Sequence, residues 1–198
     1  MKKLITGLLL TSVVATSQLS AIENNFIMDI MPLSIVAHSD LEGFSNTSGF
    51  SSETISGSAS VSPNILLGYG LDLSYFSFDV TAGGGALVNG AFSATYLQGE
   101  VCAYVTTKQK GFMIGPFYRI MDYSDPKWLT DNLIMTGTQA SVYGISMMTG
   151  GKKVKFKMKV GQTSGADIAV QGINGYTASS NTLSLDGLNV ELGLALRF

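Results

Sequence analysis

Residues 152 to 160 read KKVKFKMKV, and on this stretch the fold turns. Val154, Phe156, Met158 and Val160 alternate with Lys153, Lys155, Lys157 and Lys159. A period of two puts one set on each side of an extended strand, one face apolar and the other charged. A lysine row facing water on a soluble sheet gives the same pattern, so other segments have to decide. From Ile55 to Tyr69 the odd positions read Ile, Gly, Ala, Val, Pro, Ile, Leu, Tyr, while the even positions from Thr54 to Asn64 are Thr, four Ser and Asn. At the far end Leu188, Val190, Leu192, Leu194, Leu196 and Phe198 share one face and Asn189, Glu191, Gly193, Ala195 and Arg197 the other. No helical periodicity competes with these patterns.

Alternation of this kind predicts eight strands, at 26–38, 54–69, 71–83, 91–106, 111–123, 133–149, 152–170 and 182–198. In the third, Leu71, Leu73 and Tyr75 share one phase and Phe76, Phe78 and Val80 the other, which predicts a bulge near Tyr75. Pro116 removes a ladder donor and predicts another. Connections at 69–72, 107–111 and 149–153 are tight; those at 39–53, 83–90, 124–132 and 171–181 are longer and polar. Short and long therefore alternate. The expected fold is all-β: an eight-stranded antiparallel up-and-down transmembrane β-barrel with short periplasmic turns and long extracellular loops.

Composition agrees with a chain built for lipid. Charged residues are 13% of the sequence, against ~25% in soluble domains. The start, MKKLITGLLLTSVVATSQLSA, has two lysines, an apolar run from Leu4 to Ala15 and then small residues, the design of a secretory signal. Residues 1–21 are read as that signal, with cleavage after Ala21 or after Ser17, and 22–198 as the barrel. The apolar run is shorter than the ~20 residues of a membrane helix, and none of that length follows. Without Lys2 and Lys3 the 12 basic residues become 10 against 14 acidic ones, a net charge of −4, so no nucleic-acid surface is expected. A single cysteine, Cys102, allows no internal disulfide and no zinc cluster.

Strands satisfy every backbone amide in hydrocarbon only as a closed barrel. Its polar face must then fill an interior wide enough only for side chains. Lys153, Lys155, Lys157, Lys159, Arg119 and Arg197, with Glu100 and Glu191, are the expected lumenal charge network; antiparallel pairing of the last two strands brings Glu191 near Lys159. The closing ELGLALRF resembles the carboxy-terminal assembly signal of bacterial outer-membrane β-barrels, matching it at Glu191, Gly193, Leu196 and Phe198. The chain as a whole resembles the small eight-stranded class that includes the OmpA transmembrane domain, OmpX and OmpW. That resemblance implies residence in the cell outer membrane, contact with its lipid and recognition of the last strand by the barrel-assembly machinery, in a monomer. The expected role is structural or surface contact, with a small-molecule conduit as the alternative.

A few barrels of this class act on lipid through a histidine, a serine and a carboxylate. Here His38 is followed by Ser39 and Asp40, but neighbours in a strand point to opposite faces, so Ser39 is badly placed and no catalytic role is expected. Gly83 to Gly85 lack the context of a phosphate loop and read as a flexible connection. Asp122, Asp125 and Asp131 fit no calcium-loop spacing. Trp128, Tyr123, Tyr69 and Phe198 read as interfacial anchors, and neither cofactor nor metal is expected.

Overall fold

A computed structural model describes residues 23–107 and 109–198; the segment 1–21, expected to be a secretory signal, lies outside them. Every regular element among the described residues is a strand. Eight of them close a barrel: β1 Glu23–His38, β2 Asn64–Asp72, β3 Phe76–Val88, β4 Phe92–Thr106, β5 Phe112–Trp128, β6 Gln139–Gly150, β7 Val154–Ser164 and β8 Gly187–Arg197. Each pairs antiparallel with its neighbours in the chain, and β8 pairs back onto β1. The short segment Ala59–Val61 continues the line of β2, pairing with β1 and β3. No edge is left along the wall, which is how a barrel avoids the hazards of an open sheet.

Several boundaries differ from the sequence expectation, each for a local reason. The third strand runs from 76 to 88 rather than 71 to 83, because the turn lies at 73–75 and closes with Leu73 N–H donating to the Phe76 carbonyl. The change of phase at Tyr75 is that turn and not a bulge; Leu71 sits directly across from Phe78 on one face. Gly83 to Gly85 belong to β3, so the 83–90 connection shrinks to 89–91. A Cβ on Gly83 would meet the Ile65 carbonyl oxygen at 2.0 Å, and one on Gly85 the Tyr96 hydroxyl at 2.4 Å. These glycines are there for close approach.

Pro116 causes no bulge: β5 keeps one register with β6 through Pro116 and Ile145. The bulges are at the two other strand prolines. Between Ile30↔Leu194 and Leu33↔Leu192, residues 31 and 32 face the single Gly193. Between Thr95↔Ser124 and Ser93↔Lys127, residues 125 and 126 face Ala94. Pro32 and Pro126 each occupy the second bulged position, where the missing amide leaves no ladder bond broken. Each bulge reverses the alternation. In β1 the buried positions pass from Ile27, Asp29 and Met31 to Ser34, Val36 and His38; in β5 they pass from Arg119, Met121 and Tyr123 to Trp128.

Short turns at 73–75, 107–111 and 151–153 lie at one end. Long connections at 39–63, 129–138 and 165–186 lie at the other, and they are structured. Ser45–Thr47, Ser52–Thr54 and Thr177–Ala178 make one small sheet; Leu133–Thr136, Asp167–Gly172 and Thr182–Ser184 make a second. The outer wall is apolar from top to bottom, with Leu33, Ile35, Ile65, Leu67, Phe78, Val80, Val101, Ile120, Ile145, Phe156, Val160 and Leu194 all exposed. The inner face holds the charge.

Candidate functional site

Inward-facing positions build the site from seven strands, in two ionic layers. The central layer is organised on Arg119 of β5, whose planar fork donates to two carboxylates at once. Its Nε and Nη2 reach Glu100 Oε2 of β4 at 2.9 and 2.7 Å, and its Nη2 reaches Glu191 Oε2 of β8 at 2.9 Å, with Nη1 on Glu191 Oε1. Lys159 of β7 donates to Glu100 Oε1 and Oε2 at 2.6 and 2.8 Å and lies 3.7 Å from Glu191. Lys159 and Glu191 are direct cross-strand partners. Lys157 pairs with Asp29 of β1 at 2.5 Å. The second layer lies nearer the short turns: Arg197 of β8 reaches Asp79 of β3 at 2.6 Å and Asp72 of β2 at 3.1 Å. Ser77 donates to Asp72 as well, and Lys155 donates to the Lys110 carbonyl. Aromatic faces take up remaining positive charge: Phe117 lies 5.7 Å from the Lys159 ammonium and 5.6 Å from the Arg119 guanidinium.

The sums balance. Among the described side chains Arg119, Lys155, Lys157, Lys159 and Arg197 are buried, and so are Asp29, Asp72, Asp79, Glu100 and Glu191, five cations against five anions. Burying a charge without a partner costs several kcal/mol, roughly, so this equality is what allows the interior to be charged. Lys153 is not in the network. Strand β7 begins at Val154, and Lys153 sits exposed in the 151–153 turn. Three acids in it escaped the sequence reading. Asp79 alternates with Phe78 and Val80, a usable signal; Asp72 falls in the stretch 69–72 that reads as a turn; Asp29 lies among apolar residues on both faces, where alternation is blind.

Above these layers the interior becomes polar and aromatic, then apolar. Gln98 donates to Asn64, and Tyr96 and Ser62 share a hydroxyl pair at 2.8 Å. Higher still, Leu41, Phe44 and Ile55 from the 39–63 connection pack with Leu87, Phe92, Trp128, Leu133, Ile168 and Leu183. Trp128 and Tyr123 are 3% and 2% exposed, so neither is an interfacial anchor; Trp128 packs 5.7 Å from Phe44 and gives its indole N–H to Glu53. Thr130 donates to the same carboxylate at 2.7 Å. These two donors, the indole first, hold the Glu53 carboxyl below its ordinary range. Tyr69 and Phe198, by contrast, are 70% and 69% exposed and flank Phe26 at the short-turn end, at ring separations of 5.7 and 6.4 Å.

His38 lies at the junction of wall and cap, buried and bonded on both nitrogens. A carbonyl can only accept, so Nδ1–H donates to Leu185 O at 2.9 Å and Nε2 accepts the Ser60 hydroxyl at 2.8 Å. That tautomer would suit a base, but Ser60 is buried too and offers no approach to a substrate. The pair ties the 39–63 and 165–186 connections together, with Ser39 N–H on the Asp186 carbonyl beside it. Ser39 and Asp40 are exposed and do not join His38. Asp122 is exposed on the outer wall and Asp131 in the 129–138 connection, and among the described residues no three His, Cys, Asp or Glu are grouped to hold a metal.

The four positions of the closing motif have distinct settings. Glu191 is in the central ion layer. Gly193 faces the β1 bulge, where a Cβ would meet the Ile30 carbonyl oxygen at 2.1 Å and Met31 Sδ at 2.6 Å. Leu196 lies on the outer wall between Met28 and Val154. Phe198 exchanges both backbone hydrogen bonds with Phe26, at 2.9 and 3.1 Å. The chain is a small, closed, eight-stranded antiparallel β-barrel, and it matches no protein-family model and no curated protein.

Proposed function

We propose that this chain is an integral outer-membrane protein with a structural or surface-contact role and no catalytic activity, of the kind represented by the OmpA transmembrane domain, OmpX and OmpW. One observation carries the reading: the barrel is apolar outside and ionic inside. Soluble monomers seldom expose an apolar patch beyond a few hundred Å², whereas a belt of Leu, Ile, Val and Phe around the wall suits hydrocarbon. Eight antiparallel strands, short turns at one end and built-up connections at the other are further support, as are the amino-terminal segment and the closing motif. In this reading the assembly machinery recognises β8, and the barrel is a monomer, because closure leaves no strand edge to offer.

The filled interior favours a structural role over a conduit. A pore needs continuous water, and here both ion layers and the apolar cap stand across the axis. Fractionation tests the reading. The protein should remain in the outer-membrane pellet and run at different positions on a gel before and after boiling; recovery in the soluble periplasm would overturn it. Planar-bilayer conductance at background level separates the structural role from the conduit.

A further inference from the structure

Across β5, β6 and β7, close to the short turns, Phe112, Thr149 and Phe156 stand in one outward row, each directly opposite the next. Met147 and Met158 form part of the row behind. Two phenyl rings on either side of a threonine leave a slot, and residues Phe112, Met147, Met148, Thr149, Phe156 and Met158 border a cleft of about 140 Å³ there, Met148 being the one whose side chain is buried in the interior. Its lower end meets the turn 151–153, which carries Lys152 and Lys153, both exposed. The turn is held in place: Gly150 N–H donates to the Gly111 carbonyl at 3.0 Å, and Arg197 N–H to the Lys153 carbonyl at 2.8 Å. Nearby Lys110 and Lys155 are used internally, Lys110 on the Leu73 and Phe76 carbonyls and Lys155 on the Lys110 carbonyl. Of the exposed acids, Asp40, Glu42, Asp122, Asp131 and Asp167 belong to the long-loop half of the molecule, and Glu23 stands at the short-turn end at the start of β1, opposite Asp72 and two strands away from β7.

We infer that this cleft and turn form a binding site for one anionic glycerophospholipid, with an acyl chain between Phe112 and Phe156 and the phosphate on Lys152 and Lys153. The inference rests on the membrane reading above. A hydrocarbon alone would use only the cleft, and a soluble phosphate only the lysines. The contiguity of the two selects a ligand that is apolar at one end and anionic at the other, and the position at the lower border of the apolar wall is where a headgroup lies. Methionine, unbranched and adaptable, suits a floor that must fit a mobile chain.

The test is native mass spectrometry of the refolded chain, released from micelles doped with phosphatidylglycerol or phosphatidylcholine. The barrel should retain phosphatidylglycerol preferentially, and the preference should fall about fivefold for each of Lys152→Gln and Lys153→Gln. Both residues are exposed, so folding should survive. Met147→Trp, which fills the cleft, should reduce retention of both lipids. Glycerol phosphate without acyl chains should be held no better by the natural chain than by the double variant. An unchanged preference in the double variant, or glycerol phosphate held as tightly as the lipid, overturns the site. A folded barrel with no preference overturns the site alone, while a chain that will not fold in micelles overturns the membrane reading and the site with it.

Discussion

The lower interior and the cap above it are packed by opposite rules. Below Tyr96 and Tyr123 the barrel is held by ion pairs that cross between non-neighbouring strands, Lys157 of β7 to Asp29 of β1, Arg119 of β5 to Glu191 of β8. Above them the space is filled by Leu41, Phe44, Ile55 and Trp128, as in a water-soluble core, with the connections supplying much of the material. Structural specificity comes from the ionic half. Apolar packing tolerates exchange of similar volumes; a balanced set of buried charges tolerates no omission, because each lost partner strands another.

The largest effect is expected at Arg119. Arg119→Met leaves Glu100 and Glu191 buried with less compensation and should cost about 3–5 kcal/mol in urea unfolding of the refolded barrel. In the cap, Phe44→Ala empties space beside Trp128. A loss of about 3 kcal/mol is expected in the cap, seen as faster proteolysis within 39–63 while the wall still unfolds at its original urea concentration. If the wall midpoint falls equally, cap and wall are one cooperative unit and the division is wrong. Glu191→Gln keeps the shape and removes one negative charge, upsetting the five-to-five balance; about 1–3 kcal/mol is expected, and unchanged thermal stability would remove Glu191 from the network.

Glu53 gives the smallest effect and the sharpest sign. Its folded-state pKa is depressed, so its contribution is complete above the ordinary carboxylate value and disappears as pH falls through the folded value. Acidification below about pH 4 should therefore loosen the Trp128 contact first. Trp128 is the chain's one tryptophan, and its emission reports this directly. Glu53→Gln should flatten the pH dependence of that emission at a cost of about 1 kcal/mol.

How much of this the sequence disclosed follows from where alternation is interpretable. Lys155, Lys157 and Lys159 could be assigned to one face because their neighbours are uniformly apolar, and strand count and antiparallel order came from the same contrast. Glycine carries no such contrast, so Gly83 to Gly85 passed for a loop although β3 runs through them. Phase also fails at a bulge. With residues 125 and 126 sharing one partner, Trp128 turns inward although even positions before it, such as Asp122 and Ser124, face out. The cap was illegible for a further reason: Phe44 and Ile55 lie in a stretch rich in serine, and their burial depends on loops from distant parts of the chain meeting over the barrel.

The bulge at Met31 and Pro32 fixes more than a bend. It lies at the seam between β1 and β8, where the barrel closes, and only a residue without a side chain fits opposite it. Moving β8 by one residue would bring Leu192 or Leu194 against the bulge and turn Glu191 and Arg197 onto the apolar face. Closure is thus proofread by one missing methyl group: Gly193 acts as a keyhole, and the barrel locks only when the ring of strands is complete in its one working alignment.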